Sequence, residues 1–404
     1  MFQLFFASLF FGIWLLASAF SPMNILQVTN TYYPEMQFGG QPLSIHDLSK
    51  GLIRRGNRVC VVTFDSMRPA LRERRTVDGV QVQYLPWIGY GLRQWPVNRG
   101  LLAAAINDTD IVHSYGLYNF LCPAAISLAY EMKRPVLVEP LGMYRPKARN
   151  QFAKRLYHRW FTRRMFQRAA CIVATSAAEL EELKDAVGST KLVVRRNGID
   201  VEAFRELPPP AAFRRRFNLS AGDRVILYLG RISPIKNLEE MVRAFAGAAL
   251  DNCKLVLAGP ELEPDYAARL RDAIRSLKVE KNVIWAGALF DEDKLSALAA
   301  AELMVLPSLS ESFGNAAAEA VAAGVPVLLT DTCGIAPMIH ERAGLAVPLG
   351  EDSLARGLRM MMNDAGQLAR LTSRREEVVR ELSWEEPLNE MEQIYRNLVG
   401  KQMS

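Results

Sequence analysis

The sequence predicts an α/β protein with two doubly wound domains, each a parallel sheet between helical layers, facing each other across a cleft. Short, continuous apolar runs alternate with helical segments, which is typical of strands buried on both faces of a sheet. The alternation stops at the proline cluster 207–210 and then starts again, which indicates a second domain. Ligands of such sheets bind at the carboxyl ends of the strands, on the cleft side.

Composition excludes several other classes of protein. Of the 404 residues, 50% are hydrophobic and 23% are charged, so the chain is globular rather than disordered. The five cysteines form no Cys-x-x-Cys pair, which indicates a reducing compartment without a disulfide framework. Residues 1–205 carry 26 Lys/Arg and 15 Asp/Glu, whereas the remainder carries 23 and 28. This contrast supports two domains, 23–205 and 206–375, with a basic, partner-facing surface on the first.

The N-terminal segment 1–22 has three interpretations. Phe2 to Phe20 is almost wholly apolar and nearly long enough to span a bilayer, and Ala17-Ser18-Ala19 resembles a signal-peptidase site. No Lys or Arg precedes Lys50, so the positive region of an export signal is missing. A membrane anchor or a start at Met23 fits the pattern better than export does.

The first domain opens with a strand at Ile25–Thr29, a loop with two glycines and a helix over 43–55. Apolar runs rich in β-branched residues predict its other strands. These are Arg58–Thr63, Val80–Tyr84, Ile111–Val112, Val136–Glu139, Cys171–Thr175 and Leu192–Arg195. The turn Asn197-Gly198 then leads to the second domain, and we expect positive φ there because Asn-Gly tolerates it.

The second domain repeats the alternation of strands and helices. Its predicted strands are Val225–Leu229, Leu255–Ala258, Val283–Trp285, Leu303–Leu306 and Val325–Leu329.

The segment 307–324 is the most informative part of the chain. A proline ends a buried strand, and a run of small residues after it predicts a helix. Phe313, Gly314 and Asn315 therefore present free backbone N–H groups at a helix N-terminus, where a phosphate is stabilised. Glu311 cannot hold that phosphate because it is negative too. We expect it to address a sugar, which is neutral and develops positive charge during transfer.

This segment, with Glu319 eight residues after Glu311, resembles the Glu-x7-Glu motif of retaining glycosyltransferases of the GT-B fold, family 4. The resemblance covers nearly the whole chain from Met23 and is looser over the first domain. It implies two Rossmann-like domains and a final helix, 376–404, that crosses back to the first. It also implies that Glu311 meets the donor sugar and Glu319 the nucleotide ribose. Met338 departs from the family, which often has a Glu there, so specificity near the nucleotide is open.

Two cations follow the first strand of the second domain. Gly230 lets the backbone turn sharply, and Arg231 and Lys236 come next. The resemblance extends to this Gly-Arg-…-Lys segment and implies that both cations bind the diphosphate. Such cations stabilise the charge of a leaving nucleoside diphosphate without a metal ion.

The first domain supplies weaker motifs. The resemblance implies that the loop with Gly39 and Gly40 approaches a phosphate or the acceptor closely. It places His113 near the donor sugar, in a catalytic role, although a lone His after an apolar run is otherwise structural. We assign Glu139, at the next strand end, to acceptor binding.

No cofactor is predicted, because the nucleotide sugar is a substrate. No metal is predicted either, because neither acidic motif of the chain suits a metal site. Asp108-Thr109-Asp110 spells the Asp-x-Asp of metal-dependent glycosyltransferases, but it precedes its strand and so lies away from the cleft. Asp291-Glu292-Asp293 fits a helix N-terminus, where acids suit the helix dipole.

The segment Arg145–Arg168 predicts a partner surface. Its 24 residues hold nine Lys/Arg and no Asp or Glu. Two apolar series at a spacing of four are Phe152, Leu156, Trp160 and Tyr157, Phe161, Met165. A basic amphipathic helix of this kind suits an anionic membrane surface. Nucleic acid is not expected because no recognition motif accompanies the charge. Packing of the apolar side on the sheet is the alternative, and both contacts can hold.

Together these features predict transfer of a hexose from a nucleotide sugar to a glycan, lipopolysaccharide or lipid-linked acceptor, with retention, at the cytoplasmic face of a membrane. The resemblance favours a front-face route, in which the departing phosphate helps to deprotonate the acceptor. A nucleotide-sugar 2-epimerase shares the fold but needs additional acid–base groups. A non-catalytic membrane scaffold is the other alternative, and the intact glutamates and cations argue against it.

Overall fold

The computed structural model describes residues 21–35, 40–90, 93–144 and 151–400. They form two α/β domains, each with a largely or wholly parallel sheet between helices, as predicted. The apolar residues 1–20 lie outside the described ranges.

The strands of the first domain include those predicted from the sequence and three others, at 73–77, 87–90 and 93–96. They are β1 (Asn24–Val28), β2 (Arg58–Thr63), β3 (Glu73–Val77), β4 (Val80–Tyr84), β5 (Trp87–Tyr90), β6 (Arg93–Pro96), β7 (Ile111–Tyr115), β8 (Val136–Glu139), β9 (Cys171–Ala174) and β10 (Lys191–Val194). The main sheet has the order β10-β9-β8-β7-β1-β2-β4-β3, and β5 and β6 form a separate hairpin. Only β3, among the described strands of this sheet, runs antiparallel to its neighbour.

Helices cover both faces of this sheet. They are α1 (Gln41–Arg54), α2 (Arg99–Asn107), α3 (Leu121–Glu131), α4 (Gln151–Tyr157), a π-helical turn (His158–Thr162), α5 (Arg163–Arg168) and α6 (Ala177–Leu183). Side-chain alternation along β7 assigns its residues to two cores. Ile111 and Tyr115 face the core that includes α1, whereas Val112 faces the core beneath α3.

The second domain has a fully parallel sheet in the order β13-β12-β11-β14-β15-β16. Its strands are β11 (Arg224–Leu229), β12 (Cys253–Ala258), β13 (Val283–Gly287), β14 (Leu303–Leu306), β15 (Val327–Thr330) and β16 (Gly344–Val347). Its helices are α7 (Ala211–Arg216), α8 (Leu238–Ala248), α9 (Pro264–Ser276), α10 (Asp291–Ala300), α11 (Asn315–Ala322), α12 (Ala336–Ile339), α13 (Glu351–Asn363), α14 (Ala365–Thr372) and α15 (Arg375–Leu382). A last helix, α16 (Glu385–Gly400), follows.

The chain crosses between the domains twice, and the two crossings lie side by side. The backbone N–H of Ile199 donates to the carbonyl of Leu382 at 2.9 Å. Gly198 packs against Trp384, and a Cβ on this glycine would lie 2.6 Å from the indole ring. Neither residue of the Asn-Gly turn has positive φ, so that expectation is wrong. The glycine is required here by close packing.

The helix that crosses back begins at Glu385. Before it, α15 still packs on the second domain, where Val378 and Leu382 are part of the core. After it, α16 buries Leu388 and Tyr395 in the core of the first domain.

Candidate active site

A cavity of about 270 Å³ opens between the two domains, at the carboxyl ends of strands from both sheets. Most of the predicted site residues line it. They are Glu311, Arg231, Lys236, Glu319, Phe313, Gly314, Asn315, Gly230, Gly40 and Glu139. His113 does not line it, and Gly39 lies outside the described residues.

The N-terminus of α11 points into this cavity. Gly314 has φ of +116°, a backbone conformation that favours glycine. A Cβ at this position would lie 3.0 Å from the side chain of Ile335. Within the described part of the chain, the N–H groups of Phe313, Gly314 and Asn315 donate to no acceptor. These amides are available at the cavity, and their binding of a phosphate stays a prediction.

The two predicted cations stand on the same side of the cavity. Lys236 forms an ion pair with Glu311, and both side chains are partly buried. Among the described residues no acid pairs with Arg231. Partial burial weakens solvent screening, so Lys236 and Glu311 attract each other more strongly than an exposed pair would.

Two strand-end glycines make room for the loop that carries the cations. Gly230 has φ of +154° and Gly259, at the end of β12, has φ of +158°. A Cβ on Gly259 would overlap the carbonyl oxygen of Gly230. The sequence analysis did not select Gly259, although Ala258-Gly259-Pro260 directly follows a predicted strand.

Lys294 is a further cavity residue that the sequence analysis missed. Its Nζ donates to Oε1 of Glu319 at 2.9 Å, and both side chains are largely buried. Lys294 lies just after the acidic triplet 291–293, which occupies the N-terminus of α10 as predicted. It pairs with the glutamate that the family resemblance assigns to the ribose.

His113 belongs to a buried network beneath the cavity. Its Nδ1 lies 2.8 Å from the hydroxyl of Tyr395 and 2.9 Å from that of Tyr115. Its Nε2 lies 3.3 Å from Oε2 of Glu139. Burial lowers the pKa of His113, so the ring is neutral at pH 7. The expected position beside the donor sugar is therefore corrected, because the ring is fully enclosed and bonded to the last helix.

Glu139 forms part of the cavity floor, but its carboxylate is occupied. Nη2 of Arg195 donates to Oε1 of Glu139 at 2.6 Å, and both side chains are buried. Burial acts to raise the pKa of Glu139, but the charge of Arg195 and the hydrogen bonds of His113 and Arg195 together outweigh it, so the pKa is lowered. Glu139 is therefore ionised and held by Arg195. The expected direct contact with the acceptor does not fit this burial, and Glu139 instead orients Arg195, which also lines the cavity.

Three side chains join the domains at the edge of the cavity, and we call them the interdomain clasp: Ser44, Asn197 and Asn315. Nδ2 of Asn315 donates to Oγ of Ser44 at 2.9 Å. Nδ2 of Asn197 lies 2.8 Å from Oδ1 of Asn315 and 2.9 Å from Oγ of Ser44. A Cβ on Gly40 would lie 2.9 Å from the Asn315 amide, so this glycine permits close approach of the domains.

The predicted basic helix is described from residue 151 onward, and its first residues, 145–150, lie outside the described ranges. The two apolar series separate in the structure. Tyr157 and Phe161 pack inward against Phe120, and Met165 is buried. Leu156 and Trp160 remain 50% and 51% exposed. Tyr157, Phe161 and Met165 therefore pack on the domain, whereas Leu156 and Trp160 face outward.

The outward face of this helix carries an uncompensated charge. Arg155, Arg159, Arg163 and Arg164 are exposed, and none forms an ion pair with another described residue. No helix in the described ranges is long and apolar enough to cross a membrane.

The described residues contain no cluster of three or more His, Cys, Asp or Glu side chains suited to a metal ion. Oδ2 of Asp110 accepts from the backbone N–H of Asn24 at 2.7 Å, at the amino end of the sheet. The Asp-x-Asp sequence thus lies away from the cleft, as predicted.

Two Rossmann-like domains that face each other across a cleft at their strand ends are the architecture of GT-B glycosyltransferases. Family models match both halves of the chain: Glycosyltransferase Family 4 over residues 38–203 and Glycosyl transferases group 1 over residues 211–378. The chain belongs to this glycosyltransferase family, which confirms the resemblance.

Similar proteins cover nearly the whole chain. An uncharacterised glycosyltransferase of Methanocaldococcus jannaschii is 26% identical over 93% of this chain and 98% of its own length. A D-inositol 3-phosphate glycosyltransferase of Kineococcus radiotolerans is 28% identical over 89% of this chain and 91% of its own length. Sucrose-phosphate synthase from Thermosynechococcus elongatus superposes with a TM-score of 0.75 at 20% identity, and the match covers 94% of this chain and 100% of that structure. Anabaena HepE in complex with UDP and glucose has a TM-score of 0.73 at 20% identity, and the match covers 93% of this chain and 100% of that structure. These structures share the fold.

Proposed function

We propose that this glycosyltransferase moves a hexose from a nucleotide sugar to a lipid-linked, lipopolysaccharide or polysaccharide acceptor, with retention at the anomeric carbon. The observation that carries the proposal is the pairing of Lys236 with Glu311 beside the free amides of α11. In this proposal Arg231, Lys236 and the amides bind the diphosphate, Glu311 orients the sugar and Glu319 binds the ribose. The fold that this chain shares with a protein in complex with UDP and glucose is consistent with it.

The proposed chemistry takes place on one face of the sugar. The acceptor oxygen bonds to the anomeric carbon while the bond from that carbon to the phosphate oxygen breaks, and the acceptor proton passes to the departing phosphate. Lys236 releases Glu311 and stabilises the negative charge that develops on the diphosphate. The described acids that line the cavity are Glu139, Glu311 and Glu319. Glu139 is fully buried and held by Arg195, and the proposal gives Glu311 and Glu319 binding roles, so it takes the front-face route rather than a covalent carboxylate intermediate.

Calorimetric titration with UDP, GDP, ADP and their sugar conjugates tests the donor site. We expect one base to bind selectively and Glu319→Ala to weaken that binding, with the exposed Glu280→Gln variant as control. The absence of binding to every nucleotide would remove the donor site on which the proposal depends.

Activity assays test the reaction class. Nucleotide release that requires an acceptor supports a transferase over a 2-epimerase, and NMR of the product reports the anomeric configuration. Absence of turnover with every lipid or glycan extract favours the scaffold alternative.

The proposed transferase works without a metal ion, because Arg231 and Lys236 supply the positive charge at the diphosphate. We expect turnover to persist in excess EDTA. A sharp loss that magnesium or manganese restores would contradict this part of the proposal.

We also propose that the protein binds the cytoplasmic leaflet of a membrane through Arg145–Arg168. The unpaired arginines and the exposed Leu156 and Trp160 support this contact, since each cation near an anionic surface contributes about 1 kcal/mol. Liposomes with anionic lipid should co-sediment the form that starts at Met23, and an Arg159→Glu/Arg163→Glu variant of that form should stay in solution. Equal sedimentation of both proteins, or of neither, would rule the contact out.

A further inference from the structure

We infer that the first domain holds the hydrocarbon chain of one anionic lipid in a groove beside the basic helix, with the lipid phosphate at Arg164. The groove runs between α3 and the segment His158–Arg168, on the outside of the domain, and is separate from the interdomain cavity. The inference rests on the proposed membrane contact and names the ligand at that surface.

The groove has apolar walls and a volume of about 190 Å³. Trp95 and Phe120 stack at one end, with ring centroids 3.8 Å apart, and Phe161 meets Trp95 edge-on at 6.4 Å. Ala124, Ile126 and Met165 add to the apolar lining, and its polar residues are Ser127, Arg164 and Arg168. A hydrocarbon chain matches the apolar part of this lining.

Two tryptophans stand at the rim. Trp95 is 46% exposed and Trp160 is similarly exposed, although both line the groove. Ile88 and Val97, in or next to the β5–β6 hairpin that carries Trp95, are also largely exposed. A tryptophan ring that contacts apolar groups on one side and water on the other is typical of the headgroup level of a bilayer. The rim therefore sits where a lipid can pass from the bilayer into the groove.

The charge around the groove selects an anionic occupant. Arg164 lines it without an ion-pair partner among the described residues, and Arg168 at the far end donates to Ser127. No acidic side chain is among the described residues that line the groove. A second copy of this chain would bring its own cluster of arginines onto the same surface, which opposes self-association through this face. In a phosphate that carries a hydrocarbon chain, the chain can pack on the apolar residues of the groove and the phosphate can pair with Arg164.

Binding of decyl phosphate, used below its micelle concentration, tests the groove. We expect the full chain to bind it at least tenfold more tightly than decanol, with Arg164→Gln removing most of that preference. Ala124→Phe fills the groove and should abolish binding. The matched control is Ala104→Phe, on the exposed side of α2, which should bind as the wild type does. Nucleotide titration of each variant verifies that the fold and the donor site persist.

The outcomes separate the groove from the membrane contact. Loss of decyl phosphate binding in Ala124→Phe with liposome binding kept within threefold supports a chain-binding groove on a charged surface. Decyl phosphate binding without liposome binding supports the groove and refutes the membrane contact. Unchanged binding in Ala124→Phe, or none in the wild type, overturns the inference. A concentration-dependent dimer that Ala124→Phe abolishes overturns it too, because a second copy then occupies the groove.

Discussion

At the scale of single residues, the Lys294–Glu319 pair suggests how the ribose is recognised. A ribose diol can accept from Lys294 and donate to Glu319, so it can enter without leaving either charge unsatisfied. We expect Lys294→Met to weaken nucleotide binding about tenfold, since one charge-assisted hydrogen bond contributes about 1.5 kcal/mol or more. Calorimetry measures the change, with the exposed Lys281→Met as control. Equal affinities for Lys294→Met and wild type would contradict this role.

His113 makes the stability of the protein depend on pH. Burial lowers its pKa below the ordinary value of 6.5, so the folded state keeps the ring neutral and the unfolded chain binds one more proton below that pH. The contribution of the neutral His113 ring to the free energy of unfolding is fully present above about pH 6.5. As the pH falls below that value, this contribution is lost by up to about 1.4 kcal/mol per pH unit. His46 and His158 have lowered pKa values for the same reason and contribute alongside it.

The variant His113→Gln isolates this contribution. Urea unfolding at pH 7.5, 6.5 and 5.5 should give a shallower loss of stability for His113→Gln than for wild type. Parallel pH profiles for wild type and His113→Gln would show that the buried ring is not the source.

At the scale of secondary-structure elements, the paired strand ends of β11 and β12 support the cation loop. In Gly259→Ala, the new methyl group overlaps the Gly230 carbonyl, so the strand ends must separate. We expect a loss of about 1–3 kcal/mol in stability and at least a tenfold loss in nucleotide affinity. Gly247→Ala in α8 is the matched control, because its Cβ meets no atom within 4 Å. A Gly259→Ala protein that binds nucleotide normally would show that this loop does not position the donor.

The elements that the sequence predicts best are those that local patterns determine. The bounds of β2, β4, β8 and β14 agree with the predicted strands. The strands β2, β8 and β14 contain continuous apolar runs, and β4 alternates apolar and polar residues, which is the other local pattern of a strand. The strand β3 escaped prediction because its Glu-Arg-Arg-Thr-Val sequence is half exposed at a sheet edge and has no apolar run. An edge strand is defined by its neighbour rather than by its own composition.

The same distinction holds for the candidate site. The residues of 230–236 and 311–319 could be chosen from the sequence because each group lies within one short segment. Lys294 and Asn197 could not, since their partners are distant in sequence. His113 was misplaced because its environment depends on Tyr395 of α16, which is 282 residues away. Long-range packing of one helix thus decided the position of a residue that the local motif assigned to the sugar.

At the scale of the whole molecule, the interdomain clasp favours the closed arrangement of the cleft. Each of its neutral hydrogen bonds contributes about 1 kcal/mol net. We expect Asn315→Ala to enlarge the unliganded protein in small-angle X-ray scattering and to raise KM for the donor, while saturating donor restores the compact form. Ser44→Ala should act in the same direction, and Ser276→Ala, exposed on α9, should not. An unchanged scattering profile for both clasp variants would show that closure depends on other contacts.

The last helix has a consequence for how the protein is made. The core of the first domain includes Trp384, Leu388, Met391 and Tyr395, which the ribosome adds only after the whole second domain. The first domain emerges first but lacks this part of its core until the second domain has been translated. The second domain has its own core residues from Ile199 to Leu382 and can close earlier. The domain that is synthesised first is therefore completed last.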